Sequence, residues 1–161
     1  MGEDAMMPTT AEFLVRGRPL AAVLEDHLAW LEERPGGVRA DLSGLSFSEM
    51  RLPGVNLRRA RLNGSVWLEA ELSGTDFSGA ELRGADFRGC LLSGADFSAA
   101  DLTSASFGAA LAEAANFSEA ILHETSFRRA LLRQSRFLDC TLTRCDFMGA
   151  RAAGAAFHQS H

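Results

Sequence analysis

The residues that could do chemistry in this chain are carboxylates, three cysteines, four histidines and a scatter of serines. Paired carboxylates would serve general acid and base work, cysteine with histidine would hold a metal, and serine beside a base would make a nucleophile. None of those pairings has the spacing it needs. Asp41, Glu71, Asp76, Glu81, Asp86, Asp96, Asp101 and Asp146 recur at multiples of five, which scatters them along the chain. Cys90, Cys140 and Cys145 fall in the same phase of that pattern, with no CxxC and no His-rich neighbour, so they read as small apolar filler. His123 and His158 follow a large residue and should point outward, and His27 lies on or beside an apolar stripe, where it reads as a packed side chain. No Gly-rich phosphate loop is present, and the serines have no base in a repeated geometry. The expectation is therefore no catalytic residue, no metal and no cofactor.

What positions these residues is the repeat itself. Between Ala70 and Phe107 the chain reads AELSG TDFSG AELRG ADFRG CLLSG ADFSA ADLTS ASF. A small residue is followed by a mostly polar one, then Leu or Phe, then two small or polar residues. A period of five is neither that of a strand nor that of an amphipathic helix. The large position recurs from Leu42 to Phe157 in 24 units without a slip, and Leu, Phe or Trp fills 22 of them, Ala112 and Ala152 being the exceptions. Such a unit cannot bury its own side chains and must stack on copies of itself.

The pattern resembles the pentapeptide-repeat family, whose unit is written A(D/N)LXX, over about residues 38–161. The resemblance implies an all-β fold, a right-handed quadrilateral β-helix with four units to each 20-residue coil and about six coils here. Folding the sequence at that period sorts the large residues by face. Leu42, Leu62, Leu82, Leu102, Leu122 and Leu142 form one, and Phe47, Trp67, Phe87, Phe107, Phe127 and Phe147 the next. Leu52, Leu72, Leu92, Ala112, Leu132 and Ala152 form the third, and Leu57, Phe77, Phe97, Phe117, Phe137 and Phe157 the last. Phe77, Leu82, Phe87, Leu92, Phe97, Leu102 and Phe107 are the expected centre of the core, with ring stacked on ring along two opposite faces. At the usual strand spacing of about 4.8 Å, the rod would be roughly 29 Å long. Gly44, Gly54, Gly64, Gly74, Gly84 and Gly94 would supply positive φ at corners.

Residues 1–37 stand outside the repeat. Met1–Thr10 is expected to be loose, and residues 12–16 are open between a short helix and an extended segment. The spacing of Leu20, Val23, Leu24, Leu28 and Leu31 predicts a helix over about 19–34, stopped by Pro35-Gly36-Gly37. A β-helix ends in an apolar cross-section with unpaired backbone groups, so this helix, with Trp30, is expected to cap the first coil. The other end has no such cover, and the family implies a homodimer through it.

Composition narrows the partner. A net charge of −5 argues against direct nucleic-acid binding, and no apolar run suggests a membrane span, so a cytoplasmic protein is expected. All 16 basic residues are Arg. Residues 61–120 carry nine acids against Arg61, Arg83 and Arg88, whereas the last 41 residues are basic by three. Acidic rods of this family are DNA mimics that bind DNA gyrase or topoisomerase IV and protect them from inhibitors such as quinolones. Asp76, Glu81, Asp86, Asp96 and Asp101 would be the mimicking acids. The other outward feature is apolar: Leu91, Leu111 and Leu131 stand where most units carry a polar residue, in consecutive coils of one face. Such a stripe suits a protein partner, and the alternative is structural, with Leu111 partly filling the space left by Ala112. The leading expectation is a non-catalytic scaffold for protein–protein interaction, with the DNA mimic as its alternative.

Overall fold

The structure is a computed structural model and describes residues 9–161. Of the segment expected to be loose, residues 1–8 lie outside the described residues. From Asp41 onward, the residue before each large one bridges in parallel to the residue 20 positions on, from Asp41↔Arg61 to Arg136↔Ala156. The hydrogen bonds repeat with it. Leu42 N–H donates to the Arg61 carbonyl at 2.8 Å, and Arg61 N–H donates to the Ala40 carbonyl at 3.0 Å. Five residues to a side and 20 to a coil make a four-sided solenoid.

Each side contributes a single bridged residue per coil, so extended strands do not form along the faces. The cause lies in the unit: two of its five residues are spent on the turn, leaving too few for a strand. The second residue after each large one has positive φ at every corner, from Gly44 (69°) to Gln159 (53°). Many of these are not glycine; Arg59 (58°), Glu69 (57°) and Ala99 (56°) adopt the same left-handed geometry. That conformation costs an L-residue about 1 kcal/mol, which the stacked coil on either side outweighs.

Phe77, Leu82, Phe87, Leu92, Phe97, Leu102 and Phe107 are fully buried. Rings one coil apart stack, Phe77 on Phe97 at 4.9 Å and Phe87 on Phe107 at 5.0 Å. Rings on opposite faces meet edge to face, as Phe97 and Phe107 do at 5.3 Å and 89°. The small inward position has its own logic where it is polar. Ser65 donates its hydroxyl to the Leu62 carbonyl at 2.7 Å and accepts the Trp67 indole N–H at 2.7 Å. The one indole in the ladder thus keeps its hydrogen bond inside an apolar core.

Ahead of the repeat, β1 (Leu14–Val15) and β2 (Arg18–Pro19) form a hairpin. Arg16 and Gly17, with φ of 49° and 83°, make the two-residue turn that right-twisted hairpins favour. Helix α1 runs Leu20–Leu31, the span of its apolar stripe and shorter than the expected range of about 19–34. It stops ahead of Pro35 because Glu33 turns left-handed (φ 55°). Glu33 and Arg34 N–H then donate to the Trp30 and Ala29 carbonyls at 3.2 and 2.8 Å, closing the C-terminus without a glycine.

Helix α1 packs on the first coil through His27, which is fully buried. Ala40 N–H donates to Nδ1 at 3.1 Å, and Nε2 lies 3.0 Å from the Arg58 carbonyl. A carbonyl only accepts, so Nε2 carries the proton and the ring is neutral. Trp30 stacks on the imidazole at 5.6 Å, with the Arg59 guanidinium 4.9 Å from its own ring. Gly37 passes so close that a Cβ there would lie 2.3 Å from the Trp30 nitrogen. At the far end Phe157 is 44% exposed, and among the described residues the N–H groups of Phe147, Ala152 and Phe157 find no acceptor.

Candidate interaction surfaces

The residue before each large one begins the outer surface, and where it is Asp or Asn its first task is local. Asp76 Oδ1 accepts the Ser78 N–H at 2.8 Å and the Ser78 hydroxyl at 2.6 Å. Asp96 accepts the Ser98 N–H at 2.8 Å, and Asp101 the Thr103 N–H at 3.1 Å and hydroxyl at 2.6 Å. Asn56 and Asn116 do the same for Arg58 and Ser118, both at 3.1 Å. The side chain stands in for a backbone carbonyl and fixes the corner, a role that asks for an oxygen on a short stem rather than for charge.

The charge of several acids is also met from within the chain. Glu81 lies 2.7 Å from Arg39, and Asp101 lies 3.3 Å from Arg83. Asp86 takes Arg88 in a two-pronged pair, at 2.7 to 3.1 Å. Burial alone would raise the Asp86 carboxyl, but the hydrogen bonds and charge of Arg88 outweigh it and hold the group below its ordinary value. Asp76 and Asp96 have no cation within 4.0 Å among the described residues. They share one face as bridged neighbours, and Asn116 donates its amide to Asp96 at 3.2 Å. The five candidate acids are thus divided: an uncompensated pair on one face, and three neutralised acids on the others.

The apolar candidates are brought together. Leu91 bridges Leu111, and Leu111 bridges Leu131, so one ladder carries three leucines in consecutive coils. Leu91 is 40% and Leu111 38% exposed, and Leu111 stays outside the core although Ala112 beneath it is small and fully buried. Arg51 and Glu71, paired at 2.7 Å, precede the leucines in the ladder, and Arg151 follows them. Ile121, 46% exposed, belongs to a different ladder.

The cysteines point inward. Cys90, Cys140 and Cys145 are free thiols whose Sγ lies 2.7 to 2.8 Å from the carbonyls of Trp67, Phe117 and Leu122. Burial pushes the Cys90 thiol up to about 12 and Cys145 up to about 11, away from the thiolate that redox or metal chemistry needs. Among the described residues no group of His, Cys, Asp and Glu is placed to hold a metal ion. No described helix is long and apolar enough to cross a membrane.

One feature escaped the sequence reading. A groove of about 800 Å³ runs along the Trp67–Phe147 face, from Leu68 and Glu69 to Met148 and Gly149. It arises where Gly108 interrupts a row of long side chains, Leu68, Arg88, Arg128 and Met148, beside a row in which Gly89, Ala109 and Gly149 are small. The signal was present as Arg88, Gly108 and Arg128 in consecutive coils, but it emerges only when outward rows are read like inward ones.

The comparisons with known proteins agree with this architecture. A model described as pentapeptide repeats matches residues 40–79 and 56–94, and one described as a pentapeptide repeat region matches residues 85–157. The chain belongs to the pentapeptide-repeat family. No curated protein matches it in sequence. Among solved structures it is similar to a trypsin-treated variant of QnrB1, a plasmid-mediated fluoroquinolone resistance protein. The TM-score is 0.60 at 19% identity, over 76% of this chain and 77% of that one. A pentapeptide repeat protein from the thylakoid lumen of Arabidopsis thaliana aligns at 27% identity and TM-score 0.46, over 72% of this chain and 63% of that one. HetL of the cyanobacterium Nostoc, involved in heterocyst differentiation regulation, aligns at 16% and 0.42, over 86% and 92%. The likeness to QnrB1 is one of fold, the right-handed quadrilateral β-helix.

Proposed function

We propose that this protein is a non-catalytic rod of about six coils, capped by α1, that binds another protein through the Leu91/Leu111/Leu131 ladder. The observation that carries the reading is that Leu91 and Leu111, both exposed, and half-buried Leu131 adjoin in one ladder, whereas Ile121, Met148 and Phe157, also exposed, lie elsewhere on the rod. A leucine at a bridge position points away from the core, and adjoining apolar side chains left accessible on a protein surface mark contact sites. The regular, closed coil supports the non-catalytic part, because reactive groups are spaced apart or buried and the thiols are held protonated. The same account has the last coil pair with a second copy, through exposed Phe157 and the N–H groups of Phe147, Ala152 and Phe157, which find no acceptor among the described residues. It places the protein in the cytoplasm, where three free thiols persist, with neither a membrane nor nucleic acid as direct partner.

The test is a comparison of wild type with a Leu91→Ser/Leu111→Ser/Leu131→Ser variant, both shown to be folded, as baits for cross-linked partners. A partner held by wild type and lost from the variant is expected. Equal recovery by both removes the ladder from the account.

A second reading has specific support in the uncompensated pair Asp76 and Asp96 and in the shared fold of QnrB1, a fluoroquinolone resistance protein. In it the rod mimics DNA and binds DNA gyrase or topoisomerase IV. Supercoiling by purified gyrase, with and without a quinolone, separates the two. Inhibition or drug protection that Asp76→Asn/Asp96→Asn abolishes selects the mimic, and no effect of the folded wild type rejects it.

A further inference from the structure

The groove beside the leucine ladder has a chemistry of its own. Its middle is made by Gly108 and Ala109, and Ser106 and Ser126 line it as bridged neighbours. Among the described residues neither serine hydroxyl has a hydrogen-bond partner in the chain. The arginines of the groove are unequally engaged. Arg88 is spent on Asp86, at 2.7 to 3.1 Å. Arg128 holds Asp146 loosely at 3.4 Å with its side chain 55% exposed, and Arg129 has no carboxylate within 4.0 Å. Two guanidiniums therefore share one carboxylate at this end, beside two unused hydroxyls, while the Glu69 carboxylate lines the opposite end and leaves the Arg128/Arg129 end as the one suited to an acid.

The position of the groove links it to the ladder. Ala109, in the groove, is followed by buried Ala110 and then Leu111, and Arg129 likewise by Ala130 and Leu131. The groove thus runs along the corner of the rod that leads directly onto the leucine ladder. The groove crosses four coil spacings, from Leu68 to Met148. At about 4.8 Å each that is roughly 19 Å, the reach of about six residues of extended chain.

We propose that the groove takes an extended acidic segment of the partner protein, with a carboxylate on Arg128, Arg129 and the serine hydroxyls and small residues over Gly108. This rests on the reading of the chain as a protein-binding rod and adds to it a second contact, polar and sequence-selective, along the corner beside the apolar one. Guanidinium forks match carboxylates, and hydroxyl donors complete the set. The floor admits a backbone because Gly108 has no side chain.

The test is fluorescence anisotropy of the full protein with a labelled Gly-Asp-Gly-Asp-Gly-Asp peptide and its Gly-Lys counterpart. Gly108→Leu fills the groove without strain: φ there is not positive, and an added Cβ would lie 3.4 Å from Arg88 Cγ and 3.8 Å from Ser106 Oγ. The acidic peptide is expected to bind and the basic one not. Binding should weaken about tenfold or more in Gly108→Leu and in Arg128→Glu/Arg129→Glu, and stay unchanged in the triple leucine-to-serine variant. Absence of binding, equal binding of the two peptides, or full affinity in Gly108→Leu overturns the proposal. A peptide that fails while the ladder variant still loses its partner overturns the groove and leaves the ladder standing. Groove binding with no effect of the ladder variant on partner capture does the reverse.

Discussion

Truncating a ring in the middle of the ladder should cost far more than truncating the last one, and the difference follows from geometry. Phe97 is fully buried, stacked on Phe77 at 4.9 Å and on Phe117 at 5.1 Å, with Phe87 and Phe107 edge-on at 5.4 and 5.3 Å. Phe157 is 44% exposed and meets only Phe137 at 4.7 Å and Phe147 at 6.0 Å. Phe→Ala in a packed core costs about 3–5 kcal/mol, and Phe97 sits in four aromatic pairs where Phe157 sits in two. Phe97→Ala should fall near 4 kcal/mol on that scale, because rigid coils on both sides keep the cavity open. Phe157→Ala loses about half the burial and opens onto solvent instead of an enclosed cavity, which predicts about 1–2 kcal/mol. Urea unfolding followed by circular dichroism measures both, provided the slope against denaturant is unchanged. Equal losses, or a loss at Phe97 under about 2 kcal/mol, would refute a core built from continuous ring ladders.

Three further outcomes follow from the same structure. Burial, aided by the charge of Arg39 and opposed by the bond to the Arg58 carbonyl, holds His27 below its ordinary 6.5. The unfolded chain therefore takes the proton first, and stability should fall as pH drops through 6.5 toward the lowered native value, a slope that His27→Gln removes. Gly37→Ala should destabilise by at least about 2 kcal/mol, since its Cβ would overlap the Trp30 backbone. Gly36→Ala, in open space at φ 80°, should cost about 1 kcal/mol, and thermal melts of the two variants rank them. Cys90, with its thiol pushed up to about 12, should resist iodoacetamide at pH 8 in the native protein and react once unfolded, as mass spectrometry would show.

The inward half of the fold was legible because burial leaves one solution per position. A period of five with one large and one small residue marks Phe77, Phe87, Phe97 and Phe107 as inward, and the four units per coil that the family resemblance implies sort them onto two faces. The corners were less legible. Glycine marks some of them, but Arg59 and Ala99 adopt the same backbone because the neighbouring coils impose it, and no property of an isolated arginine announces that. The end of α1 was misread for a related reason: Glu33, not the Pro-Gly-Gly that follows, makes the left-handed stop. Asp76 and Asp101 read as charge, yet each also accepts hydrogen bonds that fix its corner, a local role the repeat shares with Asn56 and Asn116. The groove depends on side chains missing from outward rows, and a pattern sought among large residues passes over them.

The most direct test of the central claim is partner capture by the folded wild type against the triple leucine-to-serine ladder variant, with Asp76→Asn/Asp96→Asn as the parallel control. The account predicts one protein cross-linked by wild type and by the Asp variant and lost from the ladder variant. A partner lost from the Asp variant and kept by the ladder variant would contradict it.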